Sequence, residues 1–599
     1  MKSFWKTVWA SALGFLLVNI ALMMFMSVVI GGLVASATSG SKTVTSVPEN
    51  AVLNIDMSSL VIAEQTSEAD PFGSLSIGLG GISAGAGAKV LGVLDAVDAI
   101  EAAAADPAIK CIYLRPDDAS DVSHLEEFRE ALVNFRKSGK AIYAYIQHPT
   151  NYGYYLGSVA DRIYMSKYNG GMNMMVGLSG QMMYYKDLLD RLGVNIQLIR
   201  HGKYKSAGEP YIRSTASAEN LEQQRVMLEG IWKEMVAGMA AKSEKSADAF
   251  NALIDDLKLT GPEAFLKEGL VDELVSMDEM KAKLCTMTGA SEYKNVSSIS
   301  LADYASLAVK PNYKAKDCIA VVYVDGEIVD GRGTEEVAGK RFADIINSVR
   351  EDEDIKAVVL RVNSPGGSVV AASQIKDAVD ALCEEKPVIA SYGSYAASGG
   401  YWISANCHYI FSDATTLTGS IGVFGIIPDV SKTVKNLAHV NVYSVNTNKH
   451  SDMYSMIHTL SAEELDFVQY DIERVYEQFT GLVSEGRNMP VERVDELGQG
   501  RVWTGRDGLA NGLVDEIGGL KAALQYAAVR AGVTDYCVES FPKPKNRMES
   551  LMSSMQPDAT DYLVKSFGIP ESAVKTFKSL SDLGSPVIYA RIPYFMEVR

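Results

Sequence analysis

Ala357-Val-Val-Leu-Arg-Val362 runs directly into Asn363-Ser-Pro-Gly-Gly-Ser368 and then into the stretch from Val370 to Cys383. The first segment is a short apolar run of strand length, the second is a glycine-rich turn, and the third repeats apolar side chains at helical spacing. Upstream, Cys318-Ile-Ala-Val-Val-Tyr-Val-Asp325 reads as another strand and Phe342 to Arg350 as a helix; downstream, Val388-Ile-Ala-Ser391 reads as a third strand. Short apolar strands alternating with amphipathic helices imply an α/β fold built on a mostly parallel sheet.

The same order occurs once before. Ala51-Val-Leu-Asn-Ile-Asp56 reads as a strand, Val90 to Ala104 as a helix, Cys111-Ile-Tyr-Leu114 as a strand and Leu125 to Arg136 as a helix. Ile109-Lys110 recurs as Ile355-Lys356, Leu114-Arg115 as Leu360-Arg361, Gly153 as Gly399, Tyr155 as Tyr401 and Lys203 as Lys449, each 246 residues later. That is a duplicated domain. The repeats are complementary rather than equal: Ser398 in Ala-Ala-Ser-Gly-Gly-Tyr faces Tyr152, and Lys205 in Lys-Tyr-Lys-Ser-Ala faces Ser451. One half keeps a candidate nucleophile, the other a candidate base. A Gly/Ser/Ala-rich stretch, Gly73 to Gly87, interrupts the first repeat only and reads as a mobile loop. Both repeats close on related segments, Leu270-Val-Asp-Glu-Leu274 and Leu513-Val-Asp-Glu-Ile517. The expected division is 1–45 for an anchor and linker, 46–310 and 311–540 for the two repeats, and 541–599 for an extension without a counterpart.

With 599 residues the chain is too long for one core and long enough for two domains. A net charge of -18 excludes a nucleic-acid backbone as a natural partner, because that requires a basic footprint. Six cysteines (Cys111, Cys285, Cys318, Cys383, Cys407, Cys537) show no CxxC spacing. They argue against a structural zinc site and read as buried free thiols, with disulfides as the alternative. At the amino terminus, Val8 to Ala37 carries no charge after Lys2 and Lys6. That length suits a retained membrane anchor, although Ala35-Ser36-Ala37 also matches a signal cleavage site. The leading lysines put the N-terminus in the cytoplasm and the catalytic mass across the inner membrane, in the periplasm or an equivalent extracytoplasmic space.

The chemistry concentrates between Asn363 and Gly425. The glycines of Asn363-Ser-Pro-Gly-Gly-Ser368 can present backbone N–H groups to an oxyanion, or the segment can be a plain strand-to-helix connection with Ser368 as the cap. Tyr395-Ala-Ala-Ser-Gly-Gly400 then places a serine among small residues before an apolar helical stretch, and Leu417-Thr-Gly-Ser-Ile-Gly422 adds a hydroxyl in a glycine-flanked turn.

These three segments, in this order, resemble the signal peptide peptidase A (protease IV) family, within the Clp-protease and crotonase fold group. The likeness covers both repeats and the N-terminal segment. It implies Ser398 as nucleophile, Lys205 as general base and Ser420 as the residue that holds the lysine, and the sequence departs at none of these positions. It further implies remnant signal peptides and other apolar peptides as substrates, a homotetrameric ring or bowl, lipid contact through the N-terminal helix, and no cofactor or metal. Gly367 and Gly399 are the expected oxyanion donors.

Physical chemistry sets its own condition on such a pair. A serine hydroxyl needs a base to take its proton, and lysine can serve only if burial destabilises its ammonium from a reference pKa near ~10.4. Lys205 must therefore lie in an apolar pocket, and Glu209, close in sequence, must point elsewhere. Lys203 reads as a surface lysine and Tyr152 as a degenerate site. His201, His408 and His450 lie in the regions of interest without a recognisable motif partner. No HExxH pattern or Walker A motif is present. A crotonase-type acyl-thioester enzyme and a silent peptide-binding membrane scaffold are the alternatives from other classes.

Overall fold

The structure is a computed structural model, and it describes residues 45–66, 75–78, 81–84, 88–120, 122–168, 172–334, 336–543 and 588–591. The expected anchor, Val8 to Ala37, lies outside the described residues. Among the described residues, no helix is long and apolar enough to cross a membrane.

Each repeat builds six parallel strands in a corresponding order, and the second sheet adds Leu417–Gly419 beside Val388–Ala397 and Val502–Thr504 antiparallel to Leu417–Gly419. In the first, the strands run in the order Glu273–Val275, Arg162–Ser166, Ile142–Ile146, Ile109–Arg115, Ala51–Asp56, Ser298–Ser300. In the second, Glu516–Ile517, Tyr409–Ser412, Val388–Ala397, Ile355–Ser364, Asp317–Asp325 and Tyr536–Phe541 follow one another in the same sense. The strands are continuously apolar because helices cover them: Phe342, Ile346 and Val349 form the buried stripe of the Gly339–Glu351 helix, and Trp402 packs on Phe479 with ring centroids 4.7 Å apart.

A further sheet ties the repeats together. Its order is Val337–Ala338, Ile328–Val329, Gly366–Ser368, Ile588–Arg591, Val423–Asp429, Asn195–His201. The last strand comes from the first repeat and pairs antiparallel with Val423–Asp429 of the second, from Val423 opposite His201 to Asp429 opposite Asn195.

Charge joins the repeats as well. Arg361 is fully buried in the second repeat and meets two carboxylates of the first, Glu64 Oε2 at 2.7 Å from its Nε and Glu127 Oε1 at 2.7 Å from its Nη2. Its Nη1 donates to Ser391 Oγ at 3.0 Å. Burial pushes the Glu64 carboxyl up, but Arg361 and His124 outweigh it and hold the pKa at about 2.

Three sequence expectations change. The helix expected from Val90 begins at Val93, because Lys89–Gly92 is a strand paired in parallel with Leu60–Ala63. The Gly73 to Gly87 stretch contains a hairpin, Leu75–Gly78 against Gly81–Ala84, whose alternating Leu75-Ser-Ile77 pattern suits a strand. Cys318 and Cys537 are disulfide-bonded, since they lie opposite each other on adjacent strands despite a sequence separation of 219. The other four cysteines are free thiols, Cys111 and Cys407 buried and Cys285 and Cys383 half-buried.

Replacing Arg361 with Met would leave two buried carboxylates without their counter-ion. We expect a loss of about 3–5 kcal/mol at neutral pH, read from urea denaturation. With the Glu64 pKa depressed, the stabilisation is complete above its unfolded value near ~4.3 and is lost as pH falls toward 2, so the difference between parent and variant should shrink on acidification.

Candidate active site

Ser398 sits where the Val388–Ala397 strand turns into the Gly399–Ser404 helix. Its backbone is forced to φ 57° and ψ -113°, a conformation rare for a residue with a Cβ. Two hydrogen bonds hold it there: its N–H donates to Gly419 O at 2.8 Å, and its carbonyl accepts from Trp402 N at 2.8 Å. Ser420 follows Gly419 and is also at positive φ, 51°, with its N–H donating to Arg501 O at 2.7 Å. The two turns are thus locked to each other.

Lys205 enters from the first repeat. The Asn195–His201 strand delivers the chain to Gly202 at φ +100°, where a Cβ would lie 2.4 Å from the Gln499 carbonyl carbon. The chain then turns back, with Tyr204 N–H donating to Gln499 O at 2.9 Å and Arg200 Nη1 donating to Lys205 O at 2.8 Å. Lys205 Nζ ends 2.7 Å from Ser398 Oγ, 3.0 Å from Ser420 Oγ and 3.2 Å from Ser420 O. All three residues are completely buried. The contact forms within one chain and needs no neighbouring copy.

Desolvation alone pushes the Lys205 pKa well below the ordinary lysine value. Glu209 does not counter it. It is buried among its own partners, accepting from Ser217 Oγ at 2.7 Å, Ser217 N at 3.2 Å, Arg200 Nη1 at 3.3 Å and Asn220 Nδ2 at 3.4 Å. The lysine stem is walled by glycines: a Cβ on Gly422 would lie 3.2 Å from Lys205 Cδ, and one on Gly500, at φ +77°, would lie 2.6 Å from Lys205 N.

Gly367 and Gly399 come from different elements and border one small space beside Ser398. A Cβ on Gly399 would lie 3.1 Å from Gly367 N, and one on Gly366 would lie 2.6 Å from Gly399 N. Ser368 is the helix cap, its Oγ accepting from Ala371 N at 3.3 Å, so the turn is both a cap and a glycine strand. The histidines are engaged elsewhere: His201 with Glu473 and stacked on Tyr476, His408 accepting from Val388 N, and His450 with Glu464. Lys203 is exposed, with its Nζ over the Tyr204 ring. Lys449 pairs with Glu463 at the surface, and Ser451 is exposed. Tyr152 lies in the Asn151–Gly157 helix, half-buried.

Sequence reasoning missed Gln499-Gly500-Arg501, which closes the lysine pocket. The paired glycines of Gly498-Gln-Gly500 after the Val491–Leu497 helix were visible as a turn, but nothing local shows that it covers Lys205.

Comparison with known proteins gives the chain its class. The chain is 35% identical over 472 residues to Protease 4 of Haemophilus influenzae, with 76% of each chain covered, and 35% identical over 475 residues to Protease 4 of Salmonella typhi, covering 77% of this chain and 76% of that one. It is 30% identical over 441 residues to the chloroplastic serine protease SPPA of Arabidopsis thaliana, covering 72% of this chain and 64% of that one. The protein is a serine peptidase, and peptides are its substrates. The family model for peptidase family S49 matches twice, at residues 134–291 and 380–534, once in each repeat. The chain belongs to peptidase family S49, the signal peptide peptidase A (protease IV) family.

A lysine whose pKa is lowered by burial has a stability signature. The unfolded chain binds a proton that the native lysine does not, so this group penalises folding below its unfolded pKa near ~10.4, increasingly as pH falls to the native pKa. Lys205→Met should therefore melt at a higher temperature than the parent at pH 7, with a margin that shrinks as pH rises and closes above pH ~10.4. Calorimetry across that range checks the sign.

Proposed function

We propose that this peptidase is a membrane-anchored endopeptidase that degrades remnant signal peptides and other apolar peptides with a Ser398/Lys205 dyad. The observation that carries the reading is the 2.7 Å approach of Lys205 Nζ to Ser398 Oγ in a fully buried site. A neutral amine has two hydrogens and one lone pair. The hydrogens suit Ser420 Oγ and O, which leaves the lone pair for the Ser398 hydroxyl. Ser420 is accordingly the positioning residue.

The reaction follows from this arrangement. Ser398 Oγ attacks the peptide carbonyl as Lys205 takes its proton, and the tetrahedral oxyanion is stabilised by the N–H groups of Gly367 and Gly399. Lys205 returns the proton to the leaving amine, and a water attacks the acyl-enzyme by the same route. No cofactor takes part.

Residues 46–310 and 311–540 act as the base-donating and nucleophile-bearing repeats of a duplicated Clp-protease and crotonase-like fold. The apolar stretch Val8 to Ala37 anchors them in the inner membrane, with the N-terminus cytoplasmic and the catalytic repeats periplasmic. The Cys318–Cys537 disulfide supports an oxidising compartment. A homotetramer would enclose the sites and keep folded proteins out. The thioester alternative loses ground because the close polar partners of Lys205 Nζ are hydroxyls and a carbonyl rather than a carboxylate.

Hydrolysis of a fluorogenic apolar peptide by the detergent-solubilised protein tests the dyad. Ser398→Ala and Lys205→Ala should each lower kcat by roughly 10³-fold or more while leaving assembly intact, and Ser420→Ala by roughly 10–10². In the parent, kcat/KM should rise with pH along a limb set by Lys205 deprotonation, well below the pH at which free lysine titrates. Parental activity in either Ala variant of the dyad would sink the mechanism.

A further inference from the structure

A carboxylate lies within one turn of chain of the proposed base, and the structure spends a cation on it. Glu209 and Lys205 are both completely buried. The close partners of the Glu209 carboxylate are all donors: Ser217 Oγ and N, Asn220 Nδ2, and Arg200 Nη1 at 3.3 Å. Donors around both oxygens suit an ionised carboxylate, which has no hydrogen to give. Arg200 is the cation among them, and the same Nη1 donates to the Lys205 carbonyl at 2.8 Å. One guanidinium therefore touches both the main chain of the lysine and the acid nearest to it in sequence.

Both members of the pair are fixed from outside the turn. Arg200 lies opposite Phe424 in the antiparallel ladder that joins the repeats. Glu209 is held at the start of the Ala218–Lys242 helix, where Ser217 Oγ also accepts from Asn220 N at 3.2 Å and Ser206 Oγ donates to Asn220 Oδ1 at 3.2 Å. The elements packed on the Lys205 amine bring hydroxyls, a carbonyl and glycine backbone. The other charges around the turn have partners of their own: Glu222 with Arg501, His201 with Glu473, and Asp495 with Tyr476 and Gln499, while Lys203 lies over the Tyr204 ring. A single uncompensated charge ~10 Å from an amine, at an effective dielectric of ~20, moves its titration by about one pH unit. Glu209 left alone would return the proton that burial removes from Lys205.

We propose that Arg200 and Glu209 are a positioning pair for the general base: the guanidinium orients the Lys205 main chain and, by neutralising Glu209, keeps a net negative charge away from the amine. The proposal rests on the reading of Lys205 as the base. Two consequences follow. Glu209→Gln leaves Arg200 as an uncompensated cation, which disfavours the ammonium, so the acid limb of kcat/KM moves to lower pH. Arg200→Met leaves Glu209 as an uncompensated anion, which favours the ammonium, so the limb moves to higher pH. A purely structural pair would lower activity without moving the limb in opposite directions.

Hydrolysis of a fluorogenic apolar peptide by the full chain, followed as kcat and kcat/KM against pH, tests the pair in Glu209→Gln, Arg200→Met, the double variant and Arg200→Lys. Each single charge removal should shift the limb by about 0.5–1 unit in the direction given, and the double variant should bring it back to the parent position. Arg200→Met should also lower kcat on the plateau by roughly tenfold, because the Lys205 carbonyl loses its donor. Arg200→Lys keeps the charge without the planar fork, so its limb should match the parent while its plateau falls. An unmoved limb in both single variants, or a shift of both in one direction, overturns the proposal. If Arg200→Met fails to fold by circular dichroism, Glu209→Gln decides alone, and an unmoved limb there overturns it; loss of folding in both makes the pair structural and overturns it too. Lys205→Ala run alongside separates the failures: if it is inert while the limbs stay put, this inference alone falls; if it retains parental activity, the dyad reading falls.

Discussion

An amine with no carboxylate near it, sealed from water, is the condition on which the rest of this structure depends. Taking a lysine out of water is costly, and the cheapest relief is either a counter-ion or loss of the proton. The fold denies the first: Glu209, the nearest acid in sequence, is held by Ser217, Arg200 and Asn220. It enforces the second by surrounding the stem with Gly422 and Gly500 backbone and ending the pocket in Ser398 and Ser420 hydroxyls. In the proposed mechanism a neutral Lys205 is the base, so the same desolvation that weakens the fold would give the site its reactivity.

The duplicated architecture supplies the means. The seven-residue antiparallel pairing of Asn195–His201 with Val423–Asp429 carries the lysine out of its own repeat and fixes its height relative to Ser420. The Arg361 cluster with Glu64 and Glu127 holds the two sheets against sliding. A buried ion pair of this kind contributes little net stability over an apolar replacement, but breaking it is expensive, which suits it to fixing register rather than adding strength.

Much of this was legible in the sequence because the relevant signals are local or repeated. The α/β alternation and the mostly parallel sheets followed from apolar runs alternating with helical spacing, and the constant offset exposed the duplication along with the Ser398 and Lys205 asymmetry. What escaped was set by tertiary pairing. Cys318 and Cys537 meet only because two strands lie side by side, Lys89–Gly92 is a strand only because Leu60–Ala63 lies next to it, and Gly500 matters only because Lys205 packs on it. The Ile588–Arg591 strand was the hardest to read. Four residues between positions outside any repeat have no periodicity to declare them, and their partner strands lie more than 150 residues away in sequence.

Backbone geometry explains how side chains from two repeats meet with fixed separations. Ser398 and Ser420 both sit at positive φ, a strain of roughly 1–3 kcal/mol each that persists only where the surroundings over-determine it. Here the Ser398 amide is bound to the carbonyl of Gly419, and the Ser420 amide to that of Arg501, so one strained turn holds the next, and the loop holding both also closes over Lys205. The positions of the two hydroxyls are thus set by main-chain hydrogen bonds of the second repeat alone. The first repeat has only to deliver one amine into a frame that the second repeat has already fixed. A lysine on a separate chain would have to associate before it could meet Ser398; joined to the same chain, it is present there at the high effective concentration of a tethered group.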